Sequence, residues 1–272
     1  MKLLQFMKAG TPTLGIEAEC GIIDASLFPG APKTMLEAAR MGQSALEMLK
    51  QIESNAKAYI SPDEITYAPV ITGSEKELCI GLNYGAHARE VKKEKPEHPA
   101  VFPKYPNTLA AHNETVKIPA GTRKIDYEAE LVVICAGGTE AFAYTVGNDL
   151  SVREWQNESP TWTVGKNPNG FGPIGPAAVT ADSIDAQHLA IEMRRNGEVV
   201  QSGSTSDMLF SVHEILEYLN VRIPLAPGDV IFTGTPNGVI IGKPYEQRVW
   251  LHPGEVLEAS IEGIGTLRTV LG

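Results

Sequence analysis

Short strand-like segments dominate the chain after residue 72, and they constrain its fold more than any other feature of the sequence. Each segment alternates or is continuously apolar, and each is bounded by glycine, proline or polar turn residues. These segments are residues 77–82, 125–135, 142–148, 174–180, 189–195, 198–202, 229–234, 255–262 and 265–271. Asn196-Gly197 predicts a tight hairpin between two of them. Apolar residues at helical spacing predict one amphipathic helix at residues 206–220. Many strands with few helices favour a mixed, β-rich α+β fold, with a rolled or sandwiched sheet, over a doubly wound one.

The N-terminal region combines helical and strand signals. Residues 14–24 alternate imperfectly and predict one or two short strands. Thr34 and Glu37 have capping-box spacing, which predicts a helical region running to about Ile52 with a break at Gly42.

A turn-rich connector at residues 61–75 separates this region from the strand-rich remainder. The chain has 272 residues, of which 43% are hydrophobic, which is enough for one large domain and one small one. We therefore predict a small N-terminal α/β domain at residues 1–71 and a second, β-rich domain at residues 72–272.

Composition and charge exclude several classes of protein. The net charge of −10 argues against a nucleic-acid partner and against an anionic membrane surface. Cys20, Cys79 and Cys135 lie far apart without a CxxC motif, which predicts free thiols in a reducing compartment. The apolar run of the N-terminal MKLLQFMK is too short for a signal peptide, so we expect a cytoplasmic protein.

Three carboxylates at alternate positions stand out in IDYEAELVVI, residues 125–134. On a strand these three side chains, Asp126, Glu128 and Glu130, would point to one side. Their mutual repulsion and the cost of removing the buried carboxylates from water must then be offset by another interaction. A bound cation would do this, because Glu128 and Glu130 lie about 7 Å apart along a strand and their side chains can converge. Asp126 lies one pleat further out, and we expect it to be solvated.

Asp149 is the candidate third ligand. It follows a strand at residues 144–147 and precedes a helix that Ser151 and Glu154 are predicted to cap. No histidine or cysteine pair nearby has zinc spacing, so ligation by oxygen alone predicts Mg²⁺ or Mn²⁺. The spacing by itself leaves a second interpretation open, in which Glu128 and Glu130 face solvent on an edge strand.

Five blocks occur in the order typical of the fumarylacetoacetate hydrolase superfamily. They are CIGLNYGAHARE (79–90), IDYEAELVVI (125–134), GNDLSVREWQ (147–156), GKNPNGFGPIGP (165–176) and GDVIFTGTPNGV (228–239). The resemblance covers about residues 72–272, and the shorter N-terminal region resembles the extra segment of small bacterial members. It implies a rolled, mixed β catalytic domain that usually forms a homodimer.

The resemblance also assigns roles to residues that match the family's motifs. It implies metal ligands at Glu128, Glu130 and Asp149, catalytic residues at His87, Glu90 and Lys166, and substrate-binding residues at Arg153, Gln156 and Thr235. Independently of the family, i and i+3 on one helical turn would let His87 and Glu90 touch. Without the family, His87, Lys166 and Arg153 would be interpreted as exposed charged or polar residues.

The chain has asparagine in two motifs where some members of the family have an aspartate. Larger members have an additional metal-binding aspartate in the block that begins at Cys79, where this chain has Asn83 nearby. Many smaller members have an aspartate three residues after the lysine, where this chain has Asn169. The chain therefore resembles the smaller members with three carboxylates, and the substrate end of its pocket differs from theirs.

The activity that the resemblance implies is Mg²⁺- or Mn²⁺-dependent hydrolysis of a C–C bond in an acylpyruvate or fumarylpyruvate, as in aromatic catabolism. One divalent ion per chain would hold the enolate of a small 2-oxo acid. The alternatives on the same scaffold are an oxaloacetate-type decarboxylase, a 2-hydroxydienedioate isomerase and a non-catalytic protein that binds a 2-oxo acid. We also predict that residues 84–94 form a lid with a short helix, so that the dyad is unformed in an empty site.

Overall fold

The computed structural model describes residues 1–91, 96–158 and 160–272. These residues form a β-rich α+β structure, which confirms the predicted fold class. The strands are β1 (Lys2–Lys8), β2 (Thr11–Ala18), β3 (Gly21–Asp24), β4 (Glu77–Gly81), β5 (Ala100–Lys104), β6 (Leu109–Ala110), β7 (Thr115–Val116), β8 (Ile125–Asp126), β9 (Ala129–Gly137), β10 (Glu140–Asn148), β11 (Ser151–Val152), β12 (Gly172–Thr180), β13 (Ala190–Arg195), β14 (Glu198–Ser204), β15 (Val230–Phe232), β16 (Val256–Ile261) and β17 (Gly265–Leu271). The α-helices are α1 (Met35–Met41), α2 (Gln43–Asn55), α3 (Gly85–Glu90), α4 (Arg153–Gln156), α5 (Thr163–Lys166) and α6 (Val212–Arg222). Residues 92–94 of the predicted lid lie outside the described residues.

The described strands form a ten-stranded mixed sheet, a five-stranded sheet and a two-stranded pair. The large sheet has the order β3-β2-β1-β12-β10-β9-β15-β4-β5, with β6 alongside β12. The five-stranded sheet has the order β14-β13-β16-β17-β7. Leu131 and Val133 of β9 pack towards the smaller sheet, whereas Val132 and Ile134 pack towards α1 and α2. The central strand is therefore buried on both faces, as its apolar sequence predicts.

The N-terminal region contributes strands to the large sheet. β1 pairs with β12 in antiparallel register, so that Leu3 lies opposite Ala178. The predicted helix break occurs at Gly42, whose φ of 58° ends α1 and starts α2. The Thr34 side chain caps α1 as predicted, because its oxygen accepts from the backbone N–H of Glu37. The predicted domain boundary near residue 72 stays a prediction.

The predicted strand at residues 125–135 is interrupted at Tyr127 and Glu128, between β8 and β9. Side chains replace the neighbouring strand there: Asn148 Oδ1 accepts from the Glu128 N–H and Gln201 Oε1 from the Ala129 N–H, both at 3.0 Å. The Asp149 N–H donates to the Glu128 carbonyl at 2.9 Å. This interruption places Glu128 and Asp149 side by side at the end of the β9–β10 pair.

The predicted cap at Ser151 is wrong. Ser151 lies in β11, which pairs with β8, and α4 starts at Arg153 without a side-chain cap. The Glu154 carboxylate instead accepts from the backbone N–H groups of Arg123 and Lys124 at 2.6 and 2.9 Å. Pairing with a strand distant in sequence therefore overrides the local capping motif.

The predicted helix at residues 206–220 begins later than expected. Thr205–Asp207 forms a separate 3-10 turn, and α6 starts at Val212 behind a capping box of Ser211 and Glu214. Among the helices that the described residues form, none has both the length and the apolar character needed to span a membrane.

Candidate active site

Three buried carboxylates meet where β9 begins and β10 ends. Glu128 precedes β9, Glu130 lies within it, and Asp149 follows β10, its antiparallel neighbour. Their oxygen atoms lie within 4.8 Å of one another, and the exposed fractions of these residues are 6%, 2% and 0%. Three carboxylates this close repel one another strongly, so positive charge must stabilise them.

Buried cations surround the cluster. Lys166 Nζ lies 2.6 Å from both Glu128 Oε2 and Asp149 Oδ2. Arg153 Nη2 donates to Glu128 Oε1 at 2.7 Å, and Lys104 Nζ donates to Asp149 Oδ1 at 2.5 Å. Charge-assisted contacts of this kind are the strong hydrogen bonds of protein interiors.

Burial and the surrounding charges shift the pKa values of Glu128 and Glu130 in opposite directions. Burial raises the pKa of Glu128, but the Lys166 ammonium and the Arg153 guanidinium together hold that pKa well below its usual range. Burial and the charges of Asp149 and Glu128 raise the pKa of Glu130 well above its usual range. Burial lowers the pKa of Lys166, but the two carboxylates that it contacts raise that pKa by more. The pKa of Lys166 therefore lies above its usual value, and Lys166 stays charged.

The cluster fits a hard divalent cation. All of its ligand atoms are carboxylate oxygens, which Mg²⁺ and Mn²⁺ prefer, and no cysteine or histidine belongs to the described group. Glu130 is also oriented by a backbone donor, because the Gly234 N–H lies 2.7 Å from its Oε2. The Lys166 ammonium between Glu128 and Asp149 shows that these two carboxylates converge on a single cation.

His87 and Glu90 form a second group, on helix α3. His87 Nδ1 lies 2.9 Å from Glu90 Oε1, and the imidazole is buried. The Glu90 carboxylate also accepts from the Gly238 N–H at 3.1 Å, which ties α3 to the loop that follows β15. The dyad is formed in this structure, because a backbone donor holds Glu90 in place, and the predicted lid behaviour stays a prediction. With Nδ1 at Glu90, Nε2 is the imidazole nitrogen left to the cavity.

All of the site residues predicted from the sequence line one cavity of about 360 Å³. They are Glu128, Glu130, Asp149, His87, Glu90, Lys166, Arg153, Gln156 and Thr235. Gln156 Oε1 accepts from Arg153 Nη1 at 2.8 Å, and Thr235 Oγ1 accepts from Gln201 Nε2 at 2.9 Å. Apolar side chains complete the wall; they include Ile80, Phe102, Trp162 and Ile241. The wall of the cavity thus combines acidic, basic and apolar side chains.

Residues 76–271 match the family model described as fumarylacetoacetate (FAA) hydrolase C-terminal, which is more than half of the chain. The chain belongs to the fumarylacetoacetate hydrolase family. This membership confirms the resemblance that its motifs indicate.

Relatives and solved structures extend the match beyond that segment. The chain is 34% identical over 287 residues to oxaloacetate tautomerase FAHD2A, mitochondrial, from Bos taurus, covering 98% of this chain and 90% of the relative. It is 30% identical to fumarylacetoacetate hydrolase from Exiguobacterium antarcticum, with a TM-score of 0.81 and coverage of 100% and 99%. It is also 30% identical to fumarylpyruvate hydrolase from Pseudomonas aeruginosa, solved with Mn²⁺ and pyruvate, with a TM-score of 0.65 and coverage of 74% and 90%. These relatives are enzymes, and the chain is an enzyme of the same family.

Asp126 departs from its predicted environment, because it is fully buried rather than solvated. Its carboxylate accepts from Arg153 Nε at 2.9 Å and from the backbone N–H groups of Ile240 and Ile241 at 2.8 and 3.0 Å. Asp126 therefore fixes the position of Arg153 relative to the cavity wall around Ile241.

Lys104 is a site residue that the sequence did not reveal. It ends β5, is 2% exposed, and donates to the Lys166 carbonyl at 2.7 Å as well as to Asp149. A lysine at the end of the apolar segment AVFPK was the available signal, but nothing local indicates its partner. Lys104 links Asp149 to the turn that carries Lys166.

The two asparagines that distinguish this chain have structural contacts. Asn83 is buried, and its Nδ2 donates to the carbonyls of Phe210 and Thr233 at 3.0 and 2.8 Å. Asn169 Oδ1 accepts from Asn107 Nδ2 at 2.8 Å, outside the cavity lining. Neither asparagine therefore contributes to the acidic cluster.

Proposed function

We propose that this enzyme interconverts the keto and enol forms of a small 2-oxo acid in a reaction that depends on Mg²⁺ or Mn²⁺, with oxaloacetate as the first substrate to test. The observation that carries the proposal is the His87–Glu90 dyad in the wall of the cavity that also contains the three carboxylates. The sequence alone placed C–C hydrolysis first. The 34% identity to an oxaloacetate tautomerase over 98% of the chain supports proton transfer as the first candidate instead.

Glu128, Glu130 and Asp149 would hold the ion. A divalent ion bound there would act as a Lewis acid on the 2-oxo oxygen, where negative charge develops. The Lys166 ammonium adds fixed positive charge at the same place, because its contacts keep it protonated. Thr235 would hold the substrate carboxylate, and Arg153 and Gln156 would line the pocket beside it, as the family resemblance implies.

The His87 imidazole is the group placed to move a proton. Its Nε2 takes a proton from C3 of the keto acid, the C–H electron pair forms the C2–C3 double bond, and the C2–O π pair moves onto the 2-oxo oxygen. The imidazolium then gives its proton to that oxygen. Glu90 orients the ring through Nδ1 and stabilises the imidazolium that forms. The reverse transfer returns the keto form, so the reaction consumes no further reactant.

Hydrolysis of a C–C bond in an acylpyruvate is the second candidate, because the same dyad can take a proton from water instead of carbon. The 30% identity to a fumarylpyruvate hydrolase solved with Mn²⁺ and pyruvate supports this candidate and this choice of ion. Oxaloacetate decarboxylation and isomerisation of a 2-hydroxydienedioate need the same ion and remain alternatives to be included in the assay.

The experiment compares the wild type with three variants after chelation and reloading with Mn²⁺. Ketonisation of enol-oxaloacetate is followed by loss of its ultraviolet absorbance, and acylpyruvate hydrolysis by pyruvate formation. We expect Glu128→Gln to abolish both activities and His87→Gln to lower them by roughly 10² to 10⁴. His213→Gln is the matched control, because the His213 side chain is exposed on α6 beside Glu217 and does not line the cavity.

The results separate the candidates. Ketonisation without pyruvate formation from acylpyruvates would support the tautomerase, and the converse would support the hydrolase. If His87→Gln retained the full rate of both reactions, the dyad would have no part in proton transfer. If the wild type with Mn²⁺ acted on no 2-oxo acid, the proposed function would be wrong.

We further propose that the enzyme is a cytoplasmic homodimer without a nucleic-acid or membrane partner. The free cysteines Cys20, Cys79 and Cys135 support a reducing compartment, and the net charge of −10 supports the absence of nucleic acid. The mitochondrial location in the names of several relatives is the alternative compartment.

A further inference from the structure

The basic side chains of the cavity differ in whether a carboxylate neutralises them. Of the arginines and lysines that line it within the described residues, Arg153 is paired with Asp126 and Glu128, and Lys166 with Glu128 and Asp149. Arg248 lines the same cavity and forms no ion pair with any residue that the structure describes. Its positive charge is therefore available to a ligand.

The local structure presents Arg248 on a fixed segment. Its Nε donates to the Lys243 carbonyl at 2.9 Å, and its guanidinium carbon lies 5.9 Å from the centre of the Tyr245 ring. The start of the same loop is held by Asp126 through the N–H groups of Ile240 and Ile241. Because Nε is engaged in this way, the two terminal nitrogens remain for recognition, in a geometry that matches a carboxylate.

We propose that Arg248 binds a second carboxylate, at the end of the substrate remote from the 2-oxo group, and thereby makes the enzyme selective for dicarboxylic 2-oxo acids. The assignment rests on the proposed function, because the acidic cluster must receive the 2-oxo end of the substrate. The other lining arginine and lysine are already neutralised, so a second carboxylate without Arg248 would lose its hydration without compensation.

The test compares pairs of ligands that differ only at the remote end. 2-Oxovalerate and 2-oxoglutarate form one pair, and 2-oxobutyrate and oxaloacetate form the other, with a methyl group replaced by a carboxylate in each. Binding is measured by titration calorimetry on the Mn²⁺-loaded protein, for wild type, Arg248→Met and Arg222→Met. Arg222 is the matched control: it also donates to a backbone carbonyl and contacts a tyrosine ring, but it does not line the cavity.

We expect the wild type and Arg222→Met to bind at least one dicarboxylate roughly 10- to 100-fold more tightly than its methyl partner, as expected for a charge-assisted hydrogen bond. Arg248→Met should remove this preference while leaving the dissociation constant of the methyl partner within about twofold. Thermal unfolding of each variant verifies that the fold is retained, and Arg248→Gln provides a second substitution if the methionine variant is unstable.

Two results would overturn the assignment in distinguishable ways. If the wild type binds both members of each pair equally, or if Arg248→Met keeps the preference, Arg248 does not recognise the second carboxylate, but metal-dependent binding of 2-oxobutyrate would still support the proposed function. If the Mn²⁺-loaded wild type binds none of the four acids, the proposed function fails and the Arg248 assignment fails with it.

Discussion

Glu77 is a buried carboxyl group outside the candidate site, at the start of β4. It is 3% exposed, and neither of its carboxylate oxygens has a hydrogen-bond partner among the described residues. Burial raises the pKa of Glu77 from its usual 4.5 to about 7, although the charge of Lys104, opposite it on β5, lowers that pKa in part. The folded protein therefore holds a proton that the unfolded chain releases.

This difference makes stability depend on pH in a defined direction. Below about pH 4.5 both states carry the proton, so Glu77 has no effect on the free energy of unfolding there. Above that pH the unfolded chain ionises first, and stability falls until the folded carboxyl ionises near pH 7. The full rise in pKa corresponds to a loss of about 3 kcal/mol, most of which falls between pH 5 and pH 8.

The perturbation is Glu77→Gln, which replaces the carboxyl group by an amide that does not titrate. Urea unfolding at pH 5 and pH 8, followed by tryptophan fluorescence, gives the free energy of unfolding of wild type and variant. We expect the free energy of unfolding of the variant to rise by about 2 to 3 kcal/mol relative to that of the wild type between the two pH values. Glu75→Gln is the control, because the Glu75 side chain is 61% exposed, and its difference from wild type should not depend on pH. A Glu77→Gln difference that stays constant from pH 5 to pH 8 would refute the reasoning.

Three further predictions concern the site and the assembly. Lys104→Met leaves Asp149 Oδ1 and the Lys166 carbonyl without their buried donor, so we expect urea unfolding to show a loss of about 3 to 5 kcal/mol in the free energy of unfolding. An unchanged stability would contradict the role of this contact. Chelation should abolish activity, and free Mn²⁺ at 100 times its dissociation constant should raise the free energy of unfolding by about 2.7 kcal/mol, which thermal unfolding would test. Light scattering at micromolar concentration should give about twice the chain mass of 29.3 kDa, whereas a monomer would contradict the proposed dimer.

Local sequence patterns predicted the positions of most strands. The Asn196-Gly197 hairpin forms as expected, because both residues adopt the positive φ values, 51° and 85°, that this tight turn requires. Gly42 breaks the N-terminal helix for the same kind of reason, with a φ of 58°. In such cases the backbone conformation that one or two residues prefer decides where a turn or a helix end forms, and the tertiary structure retains that conformation.

The motifs also predicted which residues surround the cavity, although their roles stay predictions. His87 and Glu90 are three positions apart on one helix, so their contact follows from helical geometry alone. Glu128 and Glu130 lie at alternate positions of one chain segment, so the sequence already indicated that their side chains can lie close together. The local signal failed at Ser151, where pairing of β11 with β8 replaced the predicted helix cap.

Only the tertiary structure decided how the buried charges are neutralised. Asp126 contacts the N–H groups of Ile240 and Ile241, more than 100 positions along the chain, and Lys104 contacts Asp149 from a different strand. Burial of a charged group is tolerated when partners satisfy it, and those partners are supplied by whichever segments the fold brings together. Long-range pairing leaves no periodic trace in the chain. The sequence by itself therefore determined the local conformations and the set of ionisable residues, whereas the packing of distant segments determined which of those residues neutralise one another. That packing also left Arg248 in the cavity wall without an ion-pair partner among the described residues.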